Sequence, residues 1–151
     1  MATLKISDLS VGDWVKVKKC AYFPLDKPNN FISNYAKITA IEDENCTIWL
    51  KTNVGEFCAS LKNVEPIPIT AEILEKNGWS SDGMYAFLRI DEHRHLEYYY
   101  HEHRLRKYYC GVDEWQNHAK VNDITFAVHC YSVHQLQHAL RLTGVAKEIN
   151  L

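Results

Sequence analysis

All eight histidines of the 151-residue chain fall between His93 and His138. Imidazole titrates near neutral pH and binds borderline metal ions through an uncharged nitrogen, so this concentration points first to metal or proton chemistry. His134 and His138 stand four apart, which places them on one helix face and within reach of one zinc or nickel ion. His101 and His103 are the candidates for completing such a site. The spacing matches the ligand pair of a zinc-protease helix, but Gln135 stands where that chemistry needs a glutamate base. The alternative is a metal-binding protein or a metal-dependent hydrolase built on the histidine cluster. By helical projection His134, His138 and Arg141 lie opposite the Leu136/Leu140 stripe, so a solvated polar face is the plainer account.

The segment from His93 to Tyr109 supports two other chemistries. Read as strand, His95, Glu97, Tyr99 and His101 share one face, with Leu96, Tyr98 and Tyr100 on the other. Arg104, Arg106 and Lys107 beside Tyr108 and Tyr109 combine cation and ring, as surfaces for single-stranded nucleic acid do. Yet Asp91, Glu92, Glu97 and Glu102 nearly cancel the local charge, and tyrosine with arginine also makes the usual anchors of protein interfaces. The candidate contact residues are therefore Tyr98, Tyr100, Arg104, Arg106, Tyr108 and Tyr109, with a protein partner preferred to nucleic acid. Full protonation of the histidines would add eight charges to the formal −2, so association should respond near pH 6.

Other catalytic patterns are missing. The six glycines include no G-x-G, and there is no phosphate loop or nucleophile elbow. Cys20, Cys46, Cys58, Cys110 and Cys130 are odd in number and widely spaced, with no C-x-x-C, which suits reduced thiols rather than a disulfide framework or a zinc knuckle. The start lacks the apolar core of a secretory signal, and no apolar run approaches the ~20 residues of a membrane span. These features lead us to expect a cytoplasmic protein with no membrane contact. Before Glu65/Pro66 there are eight basic and eight acidic residues, and after it nine and eleven, so no duplex-binding footprint stands out.

The elements that position these residues fall into two parts. In residues 1–66, Val15 and Val17 alternate with Trp14 and Lys16 after a Gly12-Asp13 turn. Residues 20–34, with Pro24 and Pro28, make a long loop, and strands follow at 35–41, 46–51 and around 57–61. This spacing resembles a small SH3-like β-barrel. Trp14, Tyr22, Phe23, Phe31, Tyr35 and Trp49 either fill its core or supply an aromatic platform for a ligand, with Trp14, Tyr22 and Trp49 as the contact candidates. Residues 67–151 read as a mixed α+β unit. A short helix starts at Thr70 and stops at Gly78; strands follow near 84–90, 95–101, 104–110 and 124–129. The join between the second and third has no glycine, proline or asparagine, so one long bent strand is an equal reading. Ser132 and Gln135 have capping-box spacing before a C-terminal helix that Gly144 ends, and the tail 147–151 could return as an edge strand.

The run Val133-His-Gln-Leu-Gln-His138 leading to Thr143-Gly144 resembles the C-terminal signature of small uncharacterised Bacteroidetes proteins, often found in prophage or mobile-element neighbourhoods. Glu65-Pro-Ile-Pro-Ile-Thr70 and the opening Leu9-x-Val-Gly-Asp13 are similar to segments of the same group. The resemblance implies no activity and no cofactor. Taken together, these features give a small non-enzymatic binding or accessory protein, phage- or mobile-element-encoded, whose partner is a protein or a second copy of itself.

Overall fold

A computed structural model of the chain describes residues 4–18, 35–42, 44, 46–52, 55–109 and 123–151. They form two compact units, Met1–Ile67 with Leu151, and Pro68–Asn150.

The first unit is a curled half-barrel sheet of five strands. Its strands are β1 (Trp14–Val17), β2 (Tyr35–Glu42), β3 (Thr47–Thr52), β4 (Gly55–Ser60) and β5 (Val64–Glu65), in the antiparallel order β4-β3-β2-β1-β5. Alternation decides the faces: Val15, Val17, Ala36, Ile38, Ile48, Leu50, Phe57 and Ala59 turn into one hydrophobic core. Leu61, expected to continue the β4 face, instead opens a single 3-10 turn, Leu61–Asn63, that carries the chain back to β5 beside β1. The Gly12-Asp13 motif has a structural job. Gly12 takes φ 93°, and the buried Asp13 carboxylate accepts the Ser10 amide at 2.7 Å, closing the turn before β1.

The second unit is mixed α+β. It comprises α1 (Ala71–Lys76), β6 (Ser80–Ser81), β7 (Tyr85–Arg89), β8 (Arg94–Tyr99), β9 (Arg104–Tyr109), β10 (Asp123–His129) and α2 (Val133–Leu142). The sheet is antiparallel in the order β10-β9-β8-β7-β6. Thr70 caps α1 by accepting the Ile73 amide at 3.3 Å. Between β8 and β9 the chain makes a true hairpin turn rather than one bent strand; His103, at φ 48°, takes the left-handed position that glycine would ordinarily fill.

One face of this sheet carries Ala86, Leu88, Leu96, Tyr98 and Leu105, all buried. From that face the Tyr98 hydroxyl donates to the Cys130 carbonyl at 2.8 Å, and Lys107 Nζ donates to the Thr143 carbonyl at the C-terminus of α2 at 2.7 Å. The helix is buried on more sides than an amphipathic stripe predicts. Val133, His134, Leu136, Gln137, Ala139 and Leu140 are all buried, and only its last residues, Arg141 and Leu142, are exposed.

Two details of this region differ from the sequence reading. The capping box does not form: the Ser132 hydroxyl pairs with His134 Nδ1 at 3.0 Å, while Gln135 reaches back to the Tyr131 amide at 2.8 Å. The tail is no edge strand either. Gln137 accepts the Ile149 amide (2.6 Å) and donates to the Lys147 carbonyl (3.3 Å). Asn77 accepts the Asn150 amide and donates to its carbonyl, both at 2.8 Å. Two side-chain amides thus supply what a neighbouring strand would.

Candidate functional site: the opposite face of the second sheet

Register fixes what faces away from Leu96 and Tyr98. Arg89 pairs with His95 and His95 with Tyr108; Phe87 pairs with Glu97 and Glu97 with Arg106; Tyr85 pairs with Tyr99 and Tyr99 with Arg104. Across β9, Ala127 and His129 continue the last two rows opposite Arg106 and Arg104. Every position of β7, β8 and β9 on this face is therefore aromatic or ionisable.

These side chains are tied together. The His95 ring is buried, lying 4.9 Å from Phe87 and stacked on Tyr108 at 5.0 Å. Tyr85 stacks on Tyr99 at 5.5 Å, and the Arg106 guanidinium covers the Tyr99 ring at 4.3 Å. Glu97 is the common acceptor. Burial pushes its carboxyl up, but hydrogen bonds from His95 and Tyr99, with a further one from Tyr108, outweigh this and hold it below the usual range. An ionised carboxylate only accepts, so His95 carries its proton on Nε2, 3.2 Å from Glu97 Oε1, and the Tyr99 hydroxyl donates to Oε2. Burial, then the Glu97 bond, pushes the Tyr99 phenol far up. Arg106 is held in turn by the Tyr108 hydroxyl, which raises its own affinity for its proton, and by Glu102 Oε2 at 2.5 Å.

A second small cluster sits at the end of the sheet. His103 packs against Tyr131 at 5.1 Å, and His129 stacks on the same ring at 6.1 Å. Tyr98 spends its one proton on the Cys130 carbonyl, so the 3.3 Å contact to His103 Nδ1 requires that nitrogen to donate. His129 Nδ1 likewise donates to the Glu102 carbonyl at 3.1 Å.

The candidate residues separate on this frame. Arg104, Arg106 and Tyr108 lie on the tied face with His95, Glu97 and Tyr99. Tyr98 is fully buried on the other side and offers no surface. Tyr100, half-buried, shares its hydroxyl with Ser81 at 3.1 Å, and the exposed Tyr109 belongs to the Leu105 side of β9. Trp14 and Trp49 both turn away from the first unit's core, Trp14 half-buried and Trp49 exposed; Tyr22 lies outside the described residues. Tyr85 and Phe87 were not among the candidates, although the Tyr85/Phe87/Arg89 alternation places them on this face once β7 pairs with β8.

The metal reading is corrected. Among the described residues no three His, Cys, Asp or Glu side chains come together to hold an ion. His134 is buried, not solvated, and pairs with Ser132; its ring stands edge-on to His138, with centroids 6.2 Å apart. His101 and His103 belong to the β8–β9 turn, where His103 is occupied by Tyr98 and Tyr131. Nor does Cys130 read as a nucleophile: burial pushes its thiol up to about 12, so it is neutral at pH 7. No helix among the described residues is long and apolar enough to cross a membrane. The chain matches no family model, no curated protein and no solved structure.

Proposed function

We propose that the chain is a non-enzymatic binding or accessory protein, and that the tied face of the second sheet is its contact surface for another protein. The observation that supports this is the combination of half-exposed Tyr85, Phe87, Tyr99, Arg104 and Arg106 with a hydrogen-bonded base that holds them in place. Tyrosine and arginine dominate binding energy at protein interfaces, and side chains already fixed lose less freedom on association. An accessory role of this kind suits the phage or mobile-element setting that the C-terminal resemblance implies.

Single-stranded nucleic acid is the second reading, and the same geometry weighs against it. Stacking on bases needs open ring faces. Here His95 and Tyr108 face each other, Tyr85 faces Tyr99, and Arg106 covers Tyr99.

A photo-crosslinking residue at the exposed Ala127, with Glu56 in the first sheet as the control site, tests the assignment in a lysate of the source cells. Adducts specific to Ala127 and containing polypeptide, whether a second copy or another chain, are expected. Nuclease-sensitive adducts, or equal labelling from both sites, would overturn it.

A further inference from the structure

Arg104 and Arg106 share one face of β9, two residues apart, and Glu102 at the β8–β9 turn reaches both. Its Oε2 lies 2.5 Å from Arg106 Nη2 and 4.0 Å from Arg104 Nη1. The three side chains stay accessible, Arg106 at 20%, Arg104 at 40% and Glu102 at 46%. We infer that this arginine pair is a seat for a carboxylate of an acidic partner segment, occupied in the free chain by Glu102 standing in for it. The inference rests on the protein-contact reading above.

Three observations carry it. First, the fork is built before the ligand arrives. The Tyr99 ring, 4.3 Å from the Arg106 guanidinium, holds it in place, so less ordering is left to do when a carboxylate docks. Second, the charge on this face is unbalanced toward cation. Arg89, Arg104 and Arg106 point there against the carboxylates of Glu97 and Glu102, and Glu97 is already taken up by His95 and Tyr99. Third, the pairing with Glu102 is incomplete. The 4.0 Å contact from Glu102 to Arg104 Nη1 is too long for a hydrogen bond. A partner carboxylate can bridge both guanidinium groups where Glu102 satisfies one. Because exposed ion pairs are weak, releasing Glu102 costs little.

The rows beside the seat define the rest of the partner. Half-exposed Tyr85 and Phe87 offer aromatic surface in the same rows as the arginines, one strand beyond Tyr99 and Glu97, so the matching segment is acidic with an apolar or aromatic residue a short distance away.

The test is selection of random displayed peptides on the full chain, followed by titration of the selected peptides against variants whose folding is checked by thermal melting. Selected sequences rich in Asp or Glu are expected, weakened about tenfold by Arg104→Gln and tightened about fivefold by Glu102→Gln. Glu102→Gln guards against misfolding as an explanation, since a damaged face does not gain affinity. Peptides that lose binding with Phe87→Ala yet show no acidic bias and ignore Arg104→Gln would overturn the seat and leave the contact surface standing. Peptides indifferent to both Phe87→Ala and Arg104→Gln, or no selected peptides, would overturn both.

Discussion

The two sheets of this chain share a plan and differ in what they do with their second face. Each has five antiparallel strands, and each turns an aliphatic face inward, Ile48 and Leu50 in one, Leu96 and Leu105 in the other. The outward positions of the first sheet meet in loose pairs, with Lys37 over the Trp14 ring at 5.9 Å and Trp49 donating to Glu42 at 3.4 Å. Lys51 and Glu56 meet only at 4.0 Å with most of both side chains in solvent, and Cys58 is exposed beside Trp49. The corresponding positions of the second sheet hold a buried imidazole, an ionised carboxylate and two phenols that satisfy one another. An outward face that is only solvated needs polar residues in no special order. A face whose members must pair needs particular residues in register, and the proposed contact surface rests on that difference.

The comparison is tested first where the sheets should agree. Leu50→Ala and Leu96→Ala each empty a fully buried position, so each should cost about 2–5 kcal/mol in urea denaturation. A loss under about 1 kcal/mol at either would mean that the inner faces are not equivalent. The next test is where they should part. Glu97→Gln leaves His95 and Tyr99 donating toward a group that can no longer accept from all of them, at a cost of about 1–3 kcal/mol. Glu56→Gln in the first sheet should stay within about 0.5 kcal/mol. Equal costs would erase the distinction between the two outer faces.

Acid sharpens the same contrast. The Glu97 carboxyl is held below its ordinary value of 4.5, so the folded state binds that proton less readily than the unfolded chain. Its contribution is fully present above the unfolded value and is lost as pH falls through the folded one. Asp91, held down to about 2 first by the Arg94 side chain and then by the His93 amide, has the same sign but lies in a solvated turn. The urea midpoint should therefore fall between pH 5 and pH 2.5, and the fall should be shallower in Glu97→Gln. A midpoint that rises on acidification, or an unchanged slope in the variant, would refute the assignment of Glu97 as the shared anion.

The fold was legible wherever alternation or a cap acts locally. Val15/Val17, Ile48/Leu50 and Ala86/Leu88 announce their faces two residues at a time, and Thr70 and Gly78 mark the ends of the short helix. Long-range partners were not legible. His134 reads as solvated because a helical projection contains no information about what packs on the second side of α2, and Gln137 gives no sign that it will hold the tail. The candidate face was half visible: the strand pattern placed His95, Glu97 and Tyr99 together. Joining them to Phe87 and Arg106 required the register of three strands, which depends on a turn at His103 that its residue types do not advertise.

The smallest expected effect is the most specific to the comparison. A double-mutant cycle on Lys51→Ala and Glu56→Gln isolates a single cross-strand pair of the first sheet. At 4.0 Å, with both side chains more than half exposed, the attraction is screened and the two chains gain little by holding one geometry. The coupling should be below about 0.5 kcal/mol and should fade in high salt. A coupling above about 1 kcal/mol that survives high salt would show that the first sheet also organises its outer face. The second sheet would then lose its distinction, and with it the main reason for placing the contact surface there.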